Sequence, residues 1–493
     1  MNERFEQLSK YLEKAAAINA ALVLFEWDNE TLAPEGAASY TAKVVGSLSG
    51  QYMDIITNET LKDLVKACEE ESGLSEREEA IIRETKEEIK KLECIPANEY
   101  REFAELTSEA TRIWSEAKAE NNFKKFAPTL EKIINYQKKF ASYRAKKGQK
   151  LYDVMLDTYE PGFDMQILDR FFAELKETIV PLLKRAAEES RRVEDGFLSA
   201  DYPQKAQEEA ARFIAGYVGF DFTKGVLAVS AHPFTTNLHN HDVRITTHYQ
   251  QRIDSSLFSV IHETGHALYE LGIGDNLTLT SVGQGTSMGM HESQSRFFEN
   301  MIGRNQAFWE PIYSKITGMF GEPLAQISLS DFMKAVNKVT PGLIRTEADE
   351  LSYSLHVLVR YEVEKMMIEE DVDVFELPAI WNQKYEEYLG VCPTNDSEGI
   401  LQDIHWSQGS FGYFPSYALG NAFGAQLYYR MKQEMDFDEL LREGKLSVIR
   451  DYLKENIHQY GKIKNSRQIL EDATGEDFTP GYYIKYLKEK YEK

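Results

Sequence analysis

Two histidines and a glutamate stand together in His262-Glu263-Thr264-Gly265-His266, the histidines four positions apart. On a helix that spacing sets both imidazoles on one face, one turn apart. Two such nitrogens can reach a single Zn²⁺ at ~2.0–2.1 Å each. Glu263 follows His262 directly and is rotated around the helix, so it falls beside a water on the metal rather than on the metal itself. Glu292, in His291-Glu292-Ser293-Gln294, offers the third ligand of a two-histidine, one-carboxylate set that keeps a position open for water. The plainer reading of Glu292 is an ion pair with Arg296 four residues on, a spacing worth only ~0.2–0.5 kcal/mol on a helix surface. Glu299 is the rival ligand on that stretch. The histidines as a group mark the same region: none of the ten precedes residue 232, and seven lie between His232 and His291.

Zinc on three protein ligands lowers the pKa of a water toward ~7 and polarises a carbonyl. Glu263 can then take the water's proton and pass it to a leaving amine, base first and acid second. Amide hydrolysis also needs donors where negative charge develops. His405, Tyr413 and Tyr417 are candidates, lying in or just after Gln402–Trp406 among glycines that let backbone approach a ligand. With 27 tyrosines in the chain, packing is the ordinary role of each.

These residues need rigid supports. Residues 255–270 are patterned as an amphipathic helix with Leu257, Val260, Ile261, Thr264 and Leu268 toward the core. Asp254 or Ser255 is its expected cap, and Gly272 with Gly274 its expected stop. Residues 1 to about 220 read as helix after helix, for example Glu76–Leu92 and Phe163–Arg192, broken at Ala33-Pro34-Glu35-Gly36, Cys94-Ile95-Pro96 and Glu160-Pro161-Gly162. Val226–Ser230 and Val243–Thr247 are β-rich and predict two short strands. The expected class is therefore all-α, with a very small β element near the active site.

Composition removes other classes. Only 30 glycines and 14 prolines occur in 493 residues, below the usual ~12%, which favours long helices. With 56 basic against 80 acidic residues, the net charge of −24 repels phosphate backbones and anionic lipid heads, so no nucleic-acid or membrane partner is expected. Cys68, Cys94 and Cys392 are far apart and odd in number, which suits a reducing compartment rather than a disulfide framework. No apolar leader or spanning run is evident, and a cytoplasmic location is expected.

Six segments, in order, closely resemble the motif set of the M32 (Taq-type) metallocarboxypeptidases. They are His232-Pro233-Phe234, Asp242–Thr246, His262–His266, His291–Gln294, Ile344–Asp349 and Gly399–Trp406. Glu26-Trp27-Asp28 and Tyr159–Gly162 extend the similarity, with Asn29 a departure where Gln is expected. The resemblance implies one helical domain over residues 1–493, related to neurolysin and angiotensin-converting enzyme, with two lobes flanking a deep central groove and the zinc site at about 255–300. It implies a homodimer that removes single C-terminal residues from peptides with broad specificity, Pro disfavoured, using one Zn²⁺ per chain, with Co²⁺ as an activating substitute. A carboxypeptidase must hold a free carboxylate, and the planar fork of arginine suits it. Arg244 and Arg345 are the candidates, the alternative being ion pairs of Arg244 with Asp242 and of Arg345 with Glu347 or Asp349. His232 and His239 read as pocket walls or core histidines, and Asp349 as a possible support for a zinc-bound imidazole. Two other readings stay open: a zinc endo-oligopeptidase using the same centre, and a non-catalytic helical binding protein.

Overall fold

A computed structural model describes residues 3–492. Helices account for 69% of the chain and the strands form one small sheet, as the helical patterning requires. Among the described residues no helix is long and apolar enough to cross a membrane. The chain divides into two compact units. The first comprises Met1–Glu93, Glu194–Val336 and Leu427–Asp477; the second comprises Cys94–Val193, Asn337–Gln426 and Phe478–Lys493.

In the first unit run helices Glu3–Thr31, Ala38–Ile56, Glu59–Glu69 and Glu76–Glu93; the breaks after Thr31 and Glu93 fall at the expected breakers, and those after Ile56 and Glu69 were not foreseen. Phe5, Leu8, Leu61 and Ile81 form a core with Ile273 and Leu277, so the segment that follows the histidine helix is anchored among the N-terminal helices. The histidine helix itself runs Ile253–Gly272, and all five stripe residues named above are buried. Its start differs from expectation. Arg252 occupies the cap position without a side-chain cap bond; Asp254 instead pairs with Arg252 at 2.8 Å, and Ser255 Oγ lies 2.7 Å from His248 Nε2. The side chains best suited to capping are engaged elsewhere.

Among the described residues three strands form rather than two: β1 (Gly225–Val229), β2 (Thr235–His239) and β3 (Asp242–Thr247), in the order β1-β3-β2. β3 pairs parallel with β1 and antiparallel with β2, and buries Val243 and Ile245 completely. β2 escaped the sequence pattern because none of its five residues is fully buried, so no alternation of apolar and polar positions announces it. Both β2 and β3 pack on the histidine helix.

In the second unit the long helix Met165–Ser190 is capped by Asp164, whose carboxylate accepts from Ile167 N–H. It packs with Glu350–Glu369 and Leu377–Leu389. Asp349 caps the helix Glu350–Glu369: its carboxylate accepts from the amides of Leu351, Ser352 and Thr340 and from Ser352 Oγ. That corrects the expectation that Asp349 supports an imidazole. All four of these acceptor interactions serve the backbone and the cap.

Candidate metal centre

The structure brings His262, His266 and Glu292 together, with one donor atom of each within 4.8 Å of the others. Glycine at position 265 permits it. A Cβ there would lie 2.6 Å from the carbonyl oxygen of Gln294 and 2.7 Å from Ser295 Cα, so the helix Met288–Arg296 touches the histidine helix backbone to backbone. A mid-helix glycine costs ~1 kcal/mol relative to alanine. What it permits here is an approach close enough for Glu292 to reach the histidines.

Glu292 Oε2 lies 3.4 Å from His266 Nε2 and 3.7 Å from His262 Nε2. Two ligand atoms ~2.0–2.1 Å from one tetrahedral ion are about 3.3–3.4 Å apart, so these separations fit a common cation. The other carboxylate oxygen, Oε1, accepts from Arg296 Nε at 2.7 Å. One oxygen of Glu292 thus faces both imidazoles while the other makes the ion pair with Arg296. Burial pushes the Glu292 carboxyl up, but Arg296 and the two histidines outweigh it and hold it well below the usual range.

Each imidazole is backed on its far nitrogen. His262 Nδ1 donates to Glu299 Oε2 at 2.8 Å, and Arg296 and Arg304 hold Glu299 in turn at 3.0 and 3.4 Å. Glu299 therefore supports a histidine instead of rivalling Glu292. His266 Nδ1 meets His291 Nδ1 at 2.6 Å, and His291 Nε2 meets Glu270 Oε1 at 2.8 Å. Burial drives the His266 imidazole down to about 3, with Glu292 opposing, which favours the neutral ring a metal requires.

Glu263 is buried, and Thr235 Oγ1 donates to its Oε2 at 2.6 Å and to its carbonyl at 3.0 Å. Burial raises the Glu263 carboxyl, with His262 and Thr235 opposing. Two residues along β2, and so on the same face of the strand, Asn237 donates to Glu270. The unannounced strand thus holds two of the buried carboxylates. Sequence reasoning missed Thr235, Asn237, Glu270 and the role of His291. The one local signal was Glu270, which repeats the four-residue step of His262 and His266.

Arg244, on β3, places Nε and Nη2 on the two oxygens of Asp242 at 2.9 and 2.8 Å, the ion pair named as its alternative, and lies 4.9 Å from the centre of the Trp27 ring. His232 is exposed and His239 accepts from His241 N–H, so neither is a core histidine.

The remaining candidates lie in the second unit and cluster with one another. The His405 ring stacks on Tyr413 at 5.7 Å and meets Tyr417 edge-on at 6.5 Å, while Tyr413 and Tyr417 are 5.1 Å apart. Arg345 is buried and bonded to Asp403 at 2.9 Å and to the Tyr353 hydroxyl at 3.2 Å, so its partner is neither Glu347 nor Asp349. Asp403 was invisible as a partner because it lies 58 positions from Arg345, and only the fold joins them. Burial lowers His405 to about 3, with Arg360 adding to it, and raises Tyr417 well above its ordinary value. At neutral pH both are uncharged, and the Tyr417 phenol keeps its proton to donate.

A helical chain that converges two imidazoles and a carboxylate on one point, beside a buried glutamate, has the architecture of a helical metallopeptidase. The profile of the carboxypeptidase Taq (M32) metallopeptidase family matches residues 7–491, and the chain belongs to that family. Its enzyme class is metallocarboxypeptidase. It is similar to carboxypeptidase 1 of Bacillus subtilis (strain 168), 41% identical over 97% of this chain and 96% of that one. Thermostable carboxypeptidase 1 of Pyrococcus furiosus is 37% identical over 99% of each chain. Among solved structures, a Pyrococcus furiosus carboxypeptidase superposes with a TM-score of 0.97 at 36% identity, covering 100% of this chain and 99% of that one. Metallocarboxypeptidase 1 of Trypanosoma cruzi gives a TM-score of 0.94 at 34% identity, covering 100% of both.

Proposed function

We propose that the chain is a zinc carboxypeptidase that removes single C-terminal residues from peptides, with His262, His266 and Glu292 holding the ion. The observation that carries this reading is the pair of separations, 3.4 and 3.7 Å, between Glu292 Oε2 and the two imidazole Nε2 atoms. A divalent ion held there supplies Lewis acidity, making a water nucleophilic near neutral pH and polarising the scissile carbonyl. Glu263 accepts the proton of the attacking water and delivers it to the departing amine; burial favours this shuttle by weakening its preference for the ionised form. His405, Tyr413 and Tyr417 are the proposed donors to the developing oxyanion, as neutral groups whose N–H and O–H survive at neutral pH.

Of the two arginines proposed to hold the substrate's terminal carboxylate, Arg345 gives Nε, Nη1 and Nη2 to Asp403 and Tyr353. Arg244 gives only Nε and Nη2, to Asp242, and is the better placed to take a second carboxylate. The family resemblance supports broad specificity with C-terminal Pro disfavoured, Co²⁺ as an activating substitute, a homodimer and a cytoplasmic location.

The test joins metal analysis with two assays. Purified protein carries one zinc per chain, loses hydrolysis on chelation and regains it with Zn²⁺ or Co²⁺. Glu263→Gln keeps the zinc and loses roughly 10²–10⁴-fold in kcat. A peptide is cleaved while its C-terminally amidated form is not; equal cleavage of both replaces this reading with an endo-oligopeptidase.

A further inference from the structure

The two histidines of the centre are backed differently, and the difference assigns a role to residues outside the ligand set. His262 leans directly on a carboxylate, Glu299 Oε2 at 2.8 Å. His266 leans on a second imidazole, His291, and only that ring reaches a carboxylate, Glu270. Proton positions follow once an ion is held at the centre. His266 turns Nε2 toward Glu292, so with that nitrogen's lone pair given to the ion, the proton of the neutral ring is on Nδ1. Nδ1–H therefore donates to His291 Nδ1. A neutral His291 then carries its proton on Nε2 and donates it to Glu270 Oε1.

We propose that His291 and Glu270 are positioning residues that fix the tautomer and ring orientation of His266 and pass the basicity of a buried carboxylate to it through a second imidazole. The inference rests on the metal reading of the preceding subsection. Several features build the arrangement rather than leave it to chance. Glu270 is 4% exposed and also accepts from Gly285 N–H at 3.0 Å and from Asn237 on β2, so its own position is fixed from two sides. Gly285 closes tightly over the pair: a Cβ there would lie 2.8 Å from His291 Cδ2 and 3.1 Å from Glu270 Oε1. The Tyr269 ring packs on His291 at 5.3 Å. His291 also precedes Glu292 directly, so one turn of helix supplies both a ligand and the brace of another ligand. Outer partners of this kind typically change metal affinity 10–100-fold when removed.

The experiment measures zinc dissociation into a chromophoric chelator for the full-length protein, with thermal unfolding of each apo form as the check on folding. His291→Ala speeds zinc loss roughly 10–100-fold. His291→Asn, which returns an acceptor to His266 Nδ1 but not the link to Glu270, recovers part of that. Glu270→Gln weakens retention on its own, yet adds nothing on top of His291→Ala, because its effect travels through that ring; Glu299→Gln, acting on the other histidine, multiplies with His291→Ala. Histidine-selective ¹⁵N spectra of the zinc-loaded protein show the Nδ1–H form for His266 and the Nε2–H form for His291. Unchanged zinc loss in a folded His291→Ala protein, or effects of His291→Ala and Glu270→Gln that multiply, overturns the brace while leaving the ligand set standing. Wild-type protein that retains no divalent ion overturns the ligand set itself, and the brace with it.

Discussion

The buried charges of the first unit and those of the second follow opposite rules. Around His262 and His266 stand four carboxylates: Glu292 and Glu299 face the imidazoles, Glu270 is reached through His291 and Glu263 is held by Thr235, against the guanidiniums of Arg296 and Arg304. With all ionised, that leaves two negative charges unmatched beside two lone pairs. In the second unit Arg345 pairs with Asp403 and Arg360 with Glu364, two of each sign, with the guanidiniums lying over Tyr417 at 4.9 Å and Trp406 at 3.6 Å. One cluster balances its charges without a guest. The other calls for a divalent cation, since uncompensated buried charge is costly.

The comparison can be broken in four ways. The largest effect is expected at Asp403→Ala, which strands the buried Arg345 charge and costs ~3–5 kcal/mol of stability whether or not zinc is present. Denaturant unfolding with and without chelator measures it, and a loss that appeared only in the holo protein would contradict the self-contained cluster. Next is the metal itself. At a free zinc concentration a thousandfold above Kd, zinc adds about 4 kcal/mol of stability, and Glu292→Ala removes most of that dependence. Calorimetry across a zinc titration reads both.

Gly265→Ala forces a methyl group against Gln294 and Ser295. It costs ~1–3 kcal/mol by overpacking and weakens zinc retention by moving Glu292 away, whereas a simple gain in helix propensity would stabilise the protein instead. The smallest effect concerns pH. Burial, aided by Arg345, drives His356 in the second unit down to about 3. The unfolded chain binds a proton near pH 6.5 that the folded chain refuses until about 3. The stability due to neutral His356 is thus fully present above about 6.5 and lost as pH falls from there toward 3, by ~1 kcal/mol over the first unit. His356→Gln flattens the acid limb of a Tm-against-pH curve if that assignment holds.

Much of this was legible beforehand because it is local. The breaks after Thr31, Glu93 and Tyr159 follow from Pro and Gly placement, and the stripe Leu257–Leu268 from helical periodicity. Glu292, singled out as a carboxylate on a helix soon after two histidines, stands beside them in the fold. β2 was missed because its burial is uniform, and the partner of Arg345 was misjudged because near neighbours in sequence outrank distant ones when only sequence is read.

By itself the sequence determined that two imidazoles share a helix face, since 3.6 residues per turn acts within a single element and needs no partner. Only the tertiary structure decided what stands behind each ring: Glu299 for one, His291 and then Glu270 for the other. Hydrogen bonds are short and directional, so these choices wait on how closely helices and strands approach. At Gly265 that approach is set by the absence of a single methyl group.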